Sequence, residues 1–220
     1  MPLNRTIIHL HGLIERHRSG PPPRTAARLE TGVATLDEAL DGGLPKGALV
    51  EIVSALPGCG ASSLLLALLR HSAATARWSA LIDGHDNFDP ASAGSPVLSS
   101  LLWIRCRTAD EAMRSADLLL RDGNLPLVIL DLRGNSDIEL RRIPAPNWYR
   151  LQRAIEPTAT AALILTPRAM IPCAQARLLL QNRHGIDALD REQDAIVRTL
   201  RMELTRNRAA MSHEDLAQAG

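Results

Sequence analysis

Ala48-Leu49-Val50-Glu51-Ile52-Val53-Ser54, followed by Ala55-Leu56-Pro57-Gly58-Cys59-Gly60-Ala61-Ser62, is the stretch that decides the fold. The first segment is apolar apart from Glu51 and Ser54 and has the length of a buried strand. Proline and two glycines then break it, and a leucine-rich helix follows from Ser62 to His71. A strand, a glycine-containing loop and a helix in that order open a parallel sheet, and the loop at the strand's C-terminal end is where phosphates bind in such sheets. Against the pattern G-x-x-x-x-G-K-[ST], Ala55 replaces the first glycine and Gly60 matches the second. Ala61 stands where the lysine belongs, and Ser62 supplies the hydroxyl. The chain's one lysine, Lys46, precedes the strand instead of following it.

Working outward, strand-length apolar runs alternate with helical stretches from Thr31 onward, which predicts an α/β fold with a mostly parallel sheet flanked by helices. Thr35-x-x-Glu38 reads as a capping box for a short helix that stops at Gly42-Gly43. Strands are expected over Ala80 to Asp83, Leu101 to Arg105, Leu127 to Asp131 and Ala161 to Thr166. A helix capped by Thr108-x-x-Glu111 ends at Gly123, and another runs from Trp148 to Glu156 with Asn147 as its cap. Ala176 to Arg183 and Arg198 to Thr205 read as two neighbouring strands, hence an antiparallel edge on the sheet. Asp131, a carboxylate after four apolar residues, has the form of a Walker B acid, although any strand can end in an exposed aspartate.

The N-terminal region is set apart. Residues 7–18 carry Leu10, Leu13 and Ile14 on one stripe of an amphipathic helix, and Pro21-Pro22-Pro23 make a stiff spacer behind it. The expected organisation is an N-terminal helix and proline-rich strap over 1–30, a core over 31–210 and a short tail over 211–220.

Composition narrows the function. The 220 residues hold 25 basic and 24 acidic side chains, so a net charge of +1 leaves no chain-wide attraction for nucleic acid, and direct DNA binding should be weak or absent. Neither a signal peptide nor a membrane span is visible, which predicts a cytoplasmic protein. The three cysteines, Cys59, Cys106 and Cys173, form no metal or disulfide pattern and read as buried free thiols. Arg141, Arg142, Arg150 and Arg153 near Trp148 and Tyr149 have two readings, a patch that stacks single-stranded DNA or an ordinary charged helix face, and the second is favoured.

Several ordered motifs resemble the RecA recombinases: Thr31-Gly32-Val33-Ala34-Thr35-Leu36-Asp37, Gly42-Gly43-Leu44-Pro45-Lys46-Gly47, Leu81-Ile82-Asp83 through Pro90, and the late segment ending Arg206-Asn207-Arg208. The resemblance covers roughly residues 31–210 and implies a RecA-like core. It also implies losses. His85 stands where that family has its catalytic glutamate, Ala61 replaces the phosphate lysine, and Thr166-Pro167-Arg168 replaces the nucleotide-sensing Asn-Gln. The stretch between Thr166 and Ala176 is too short for a mobile DNA-binding loop. Such a core, with a proline-rich N-terminal spacer, resembles the ImuA proteins, accessory factors of SOS-induced error-prone translesion synthesis.

That resemblance implies a non-enzymatic protein with no catalytic residue and no metal. Its phosphate loop, Ala55, Gly58, Gly60, Ala61 and Ser62 with Asp131, would be vestigial, and no cofactor is expected, ATP included. The implied partners are an ImuB-like inactive Y-family relative, an error-prone C-family polymerase and RecA, with homo-oligomers as a further option. Leu10, Leu13, Ile14, Arg206 and Arg208 are the interface candidates; for the two arginines a solvated strand end is an equal reading. Two alternatives remain open, a SulA-like cell-division inhibitor and a degenerate RecA-like ATP-binding regulator. Deleting residues 1–20 is expected to leave the melting temperature nearly unchanged while weakening RecA pull-down or self-association; a large loss of melting temperature with all partners retained would assign the helix to the core.

Overall fold

The computed structural model describes residues 27–185, 188 and 190–208. The helix expected at residues 7–18, with Leu10, Leu13 and Ile14, and the tail at 211–220 lie outside the described residues.

The chain enters through a two-residue strand, β1 (Arg28–Leu29), which pairs antiparallel with β2 (Leu44–Pro45) across a short helix, α1 (Ala34–Ala39). The expected Thr35-x-x-Glu38 box is not formed: Val33 is the cap residue and makes no side-chain cap bond. Asp37 organises this corner instead. Its carboxylate accepts from the Thr31 N–H at 3.0 Å, the Thr31 hydroxyl at 2.7 Å and the Gly32 N–H at 3.2 Å. One ionised side chain thus satisfies the turn that a cap would otherwise serve.

The core then alternates as expected: β3 (Ala48–Val53), α2 (Ala61–Ala74), β4 (Ser79–Asp83), the short helices α3 (Pro90–Ala93) and α4 (Ser95–Leu98), and β5 (Leu101–Arg105). It continues through α5 (Ala109–Asp122), β6 (Leu127–Asp131), α6 (Asp137–Arg141), α7 (Ala145–Ile155), β7 (Ala161–Thr166) and β8 (Ala176–Leu180) to α8 (Gln193–Arg198) and β9 (Met202–Asn207). Among the described residues, seven strands form one sheet in the order β5-β4-β6-β7-β3-β8-β9, parallel except for β9, which runs antiparallel to β8. The antiparallel edge is where the sequence put it, but Arg198 closes α8, and the last strand begins at Met202.

Strands β3, β4, β6 and β7 are buried on both faces, which is why they read as continuous apolar runs. One face packs under α2 through Leu64, Leu65, Leu68 and Leu69; the other packs under α5 and α7 through Met113, Leu120, Trp148 and Leu151. Helix α5 is capped as read, with Thr108 Oγ1 accepting from the Glu111 N–H and Gly123 left-handed at its end. Helix α7 corrects the Asn147 cap: it starts at Ala145 with Pro144 as its cap residue, and Pro146 sits in the first turn, where no donor is needed. Trp148 is 1% exposed, so its ring belongs to the core and is not open for stacking, whereas Tyr149 is 46% exposed. Arg150 pairs with Asp117, and Arg141 with Asp137, as a charged helix surface should.

A fully buried carboxylate interrupts the apolar run of the central strand. Glu51, fully buried in β3, accepts from the Thr166 hydroxyl at 3.1 Å, the Met170 N–H at 2.8 Å and the Ile171 N–H at 3.3 Å, and it forms an ion pair with Arg177 of β8. Breaking a buried pair strands the remaining charge, so Arg177→Met is expected to cost about 3–5 kcal/mol in urea denaturation. Adding Glu51→Leu to that variant should recover much of the loss, since no unpaired charge then remains.

Candidate functional site

The expected phosphate loop, Ala55 to Ser62, joins β3 to α2 and lines a cavity of about 660 Å³ with Arg133, His184, Gly185, Ala188 and Ile196. Gly58 and Gly60 have φ of +69° and +85°, conformations that L side chains rarely adopt. A methyl group on Gly58 would also fall 2.5 Å from the His184 carbonyl oxygen, and one on Gly60 2.5 Å from Leu200 Cδ2. The loop therefore keeps its glycines partly because the segment after β8 lies against it. The His184 N–H donates to the Gly58 carbonyl at 2.9 Å, which fixes that contact. Gly60 is the left-handed cap of α2, and its carbonyl accepts the helix's first bond, from the Leu64 N–H at 2.9 Å.

Ala61 is buried at the lysine position, and Lys46 lies between β2 and β3 at the other end of the central strand, so no lysine reaches the loop. An arginine does. Arg133, two residues beyond the end of β6, donates from Nε to Asp131 Oδ1 at 2.9 Å and from Nη2 to Asp131 Oδ2 at 2.6 Å. Its Nη1 donates to Ser62 Oγ at 3.1 Å. Burial works against this cation, but the hydrogen bonds and charge of Asp131 outweigh it and hold its pKa above the ordinary arginine value. The sequence reading treated the loop's cation as simply missing and did not single out Arg133. The signal available was a basic residue in Asp131-Leu132-Arg133, but its direction depends on how β6 sits relative to the loop.

Asp131 is accordingly no exposed strand end. It is 8% exposed and occupied by a guanidinium in a bidentate pair. The Ser62 hydroxyl, which in a working phosphate loop serves a divalent ion, accepts from the same guanidinium. A metal ion at that point would have to displace Arg133 from both groups. The arrangement can cradle an anion on backbone N–H groups, but its acid and its hydroxyl are committed to an internal cation.

His85 does not approach this cavity. It is exposed in the turn after β4, where a methyl group on Gly134 would come 3.0 Å from its Cβ. That turn is held by Asp83, whose buried carboxylate accepts from the Asn87 N–H at 2.9 Å and the Phe88 N–H at 2.8 Å. Arg105 grips Asp86 through two 2.6 Å bonds and lies over the Trp103 ring at 5.0 Å. Cys59, Cys106 and Cys173 are buried free thiols, and burial raises the pKa of Cys106 and Cys173. Arg206 and Arg208 lie at the far end of β9 and do not line the phosphate-loop cavity.

Among the described residues no helix is long and apolar enough to cross a membrane, and no cluster of His, Cys, Asp and Glu is disposed to hold a metal.

No family model matches the chain. About half of it is similar to curated proteins named Protein RecA. It is 34% identical over 113 residues to the Protein RecA of Frankia alni, which covers 50% of this chain and 32% of that protein. The Protein RecA of Clavibacter michiganensis is 33% identical over 108 residues, covering 48% and 30%, and that of Methylococcus capsulatus 33% over 106 residues, covering 47% and 30%. The chain spans about a third of the length of these relatives. With the sheet described above, the matches support a RecA-like family for this chain.

Removing the internal cation tests its structural weight. Arg133→Met leaves the largely buried Asp131 carboxylate unpaired and is expected to lower stability by about 3 kcal/mol in urea denaturation. The double variant with Asp131→Asn should lose clearly less.

Proposed function

We propose that this chain is a non-enzymatic RecA-like accessory protein of DNA repair, acting in SOS-induced error-prone translesion synthesis. Its work would be done through contacts with an ImuB-like partner, an error-prone C-family polymerase and RecA. The observation that carries the non-enzymatic reading is the Arg133 guanidinium seated on Asp131 and Ser62, with alanine at the lysine position. Phosphoryl transfer by such loops depends on a divalent ion and a lysine to neutralise developing charge, and on a carboxylate that orients water. Here an arginine already occupies the acid and the hydroxyl, and His85 stands away from the cavity. The similarity to Protein RecA supports the repair context, and the motif losses support the accessory role.

A second reading, a degenerate ATP-binding regulator, draws on the 660 Å³ cavity that the loop still lines. Arg133, tied up by Asp131, would be the remaining cation near a bound phosphate.

A turnover assay with and without single-stranded DNA separates the two readings from an active ATPase. No phosphate release above background is expected in either condition. DNA-stimulated release that disappears in Ser62→Ala would replace the accessory reading with an enzymatic one. A melting temperature raised by ATP without hydrolysis would favour the regulator.

A further inference from the structure

A second cleft, sharing no residue with the phosphate-loop cavity, lies between the start of α7, the segment after β7 and the strands β8 and β9. Its volume is about 700 Å³. Arg141, Arg168, Arg177 and Arg206 line it, and among its lining residues there is no carboxylate. Leu140 and Trp148, both 1% exposed, form an apolar floor with Ile143 and Met170 beside them.

The charges do not cancel. Asp137 is shared by Arg141 at 2.7 Å and Arg168 at 2.8 Å, and Glu51 serves Arg177. Four guanidiniums against two carboxylates leave two positive charges in surplus. The surplus is sharpest at Arg206, which stands directly opposite Arg177 in the β8-β9 pairing and makes no ion pair among the described residues. Like charges facing across a ladder are destabilising. Burial and the positive charges of Arg208 and Arg177 depress the Arg206 pKa. Glu51 neutralises Arg177 from the core side, but no carboxylate among the described residues pairs with Arg206, which leaves that guanidinium to receive an anion from elsewhere.

We propose that this cleft docks an acidic segment of a partner protein, with carboxylates on Arg206, Arg168 and Arg141 and an apolar side chain over the Trp148–Met170 floor. A nucleic-acid strand suits it less well, because stacking needs an open aromatic face and the cleft's one aromatic ring, Trp148, is buried. The surplus charge gives the complementarity to carboxylates, and the apolar floor gives a place for a hydrophobic anchor. The inference rests on the reading of this chain as a protein-binding platform. Its test involves no ATP, so its failure would leave the non-hydrolytic reading standing.

The test uses the full chain and a fluorescein-labelled nonapeptide of three Asp-Glu-Leu repeats, followed by anisotropy. Binding is expected at about 10–100 μM, falling with salt, with no binding of the matching Asn-Gln-Leu peptide. Arg206→Gln and Arg168→Gln should each weaken binding about tenfold, the loss expected for a charged hydrogen bond. The Arg206→Gln melting temperature should be unchanged or higher, because a like-charge opposition is relieved. If that variant melts lower, Arg168→Gln carries the comparison. Failure of the intact protein to bind, equal binding of the neutral peptide, or indifference to both substitutions would overturn the proposal. Tighter binding of an oligothymidylate, lost in Arg206→Gln, would also overturn it by assigning the cleft to nucleic acid.

Discussion

A carboxylate without exposed surface in the central strand is the constraint on which much of the architecture depends. Glu51 cannot be left ionised in an apolar sheet without partners, and its partners come from three places far away in sequence: the end of β7, the segment that follows it, and β8. Satisfying that one group therefore fixes the path of residues 167–175. The segment carries the buried Ile171, Cys173 and Ala174, which continue the layer that α5 and α7 begin on that face of the sheet. Gln152 ties the layer to β3 from the other side, donating to the Gly47 carbonyl and accepting from the Leu49 N–H. Arg177 brings β8 into the set of Glu51 partners beside β3, and β9 pairs antiparallel against β8.

The same logic of internal compensation recurs in the loop that follows β3. There the phosphate loop keeps Gly58, Gly60 and Ser62, but Arg133 crosses from β6 to Ser62 over the neighbouring β7. Two ion pairs, Glu51 with Arg177 and Asp131 with Arg133, thus answer buried acids with arginines of this chain. In this RecA-like sheet each of these two acids has its counter-charge within the chain itself.

Much of this order was legible in the residues. The runs Ala48 to Val53, Leu127 to Asp131 and Ala161 to Thr166 are buried on both faces, so their unbroken apolarity announced parallel central strands. Thr108 and Gly123 bounded α5 because cap chemistry is local. The errors arose where a local signal met a competing partner. Thr35 had cap spacing, but Asp37 reached back to Thr31 and Gly32; Asn147 had cap chemistry, but the helix is capped at Pro144, three residues earlier. Ser136 and Glu139 form a true capping box on α6 that the reading passed over, because the helix spans only Asp137–Arg141 and shows little periodicity.

By itself the sequence determined the alternation of strands and helices, the antiparallel edge, the missing lysine at Ala61 and the RecA-like order of motifs, since each depends on burial pattern or on residues adjacent in the chain. Tertiary structure alone decided what answers the missing charge and where the surplus arginines gather. Ser62 and Arg133 are 71 positions apart, and Glu51 and Arg177 126 apart. Arg206 meets Arg177 only through the β8-β9 register. Contacts of that range depend on strand order, and a side chain as long as arginine has no direction until the sheet around it is assembled.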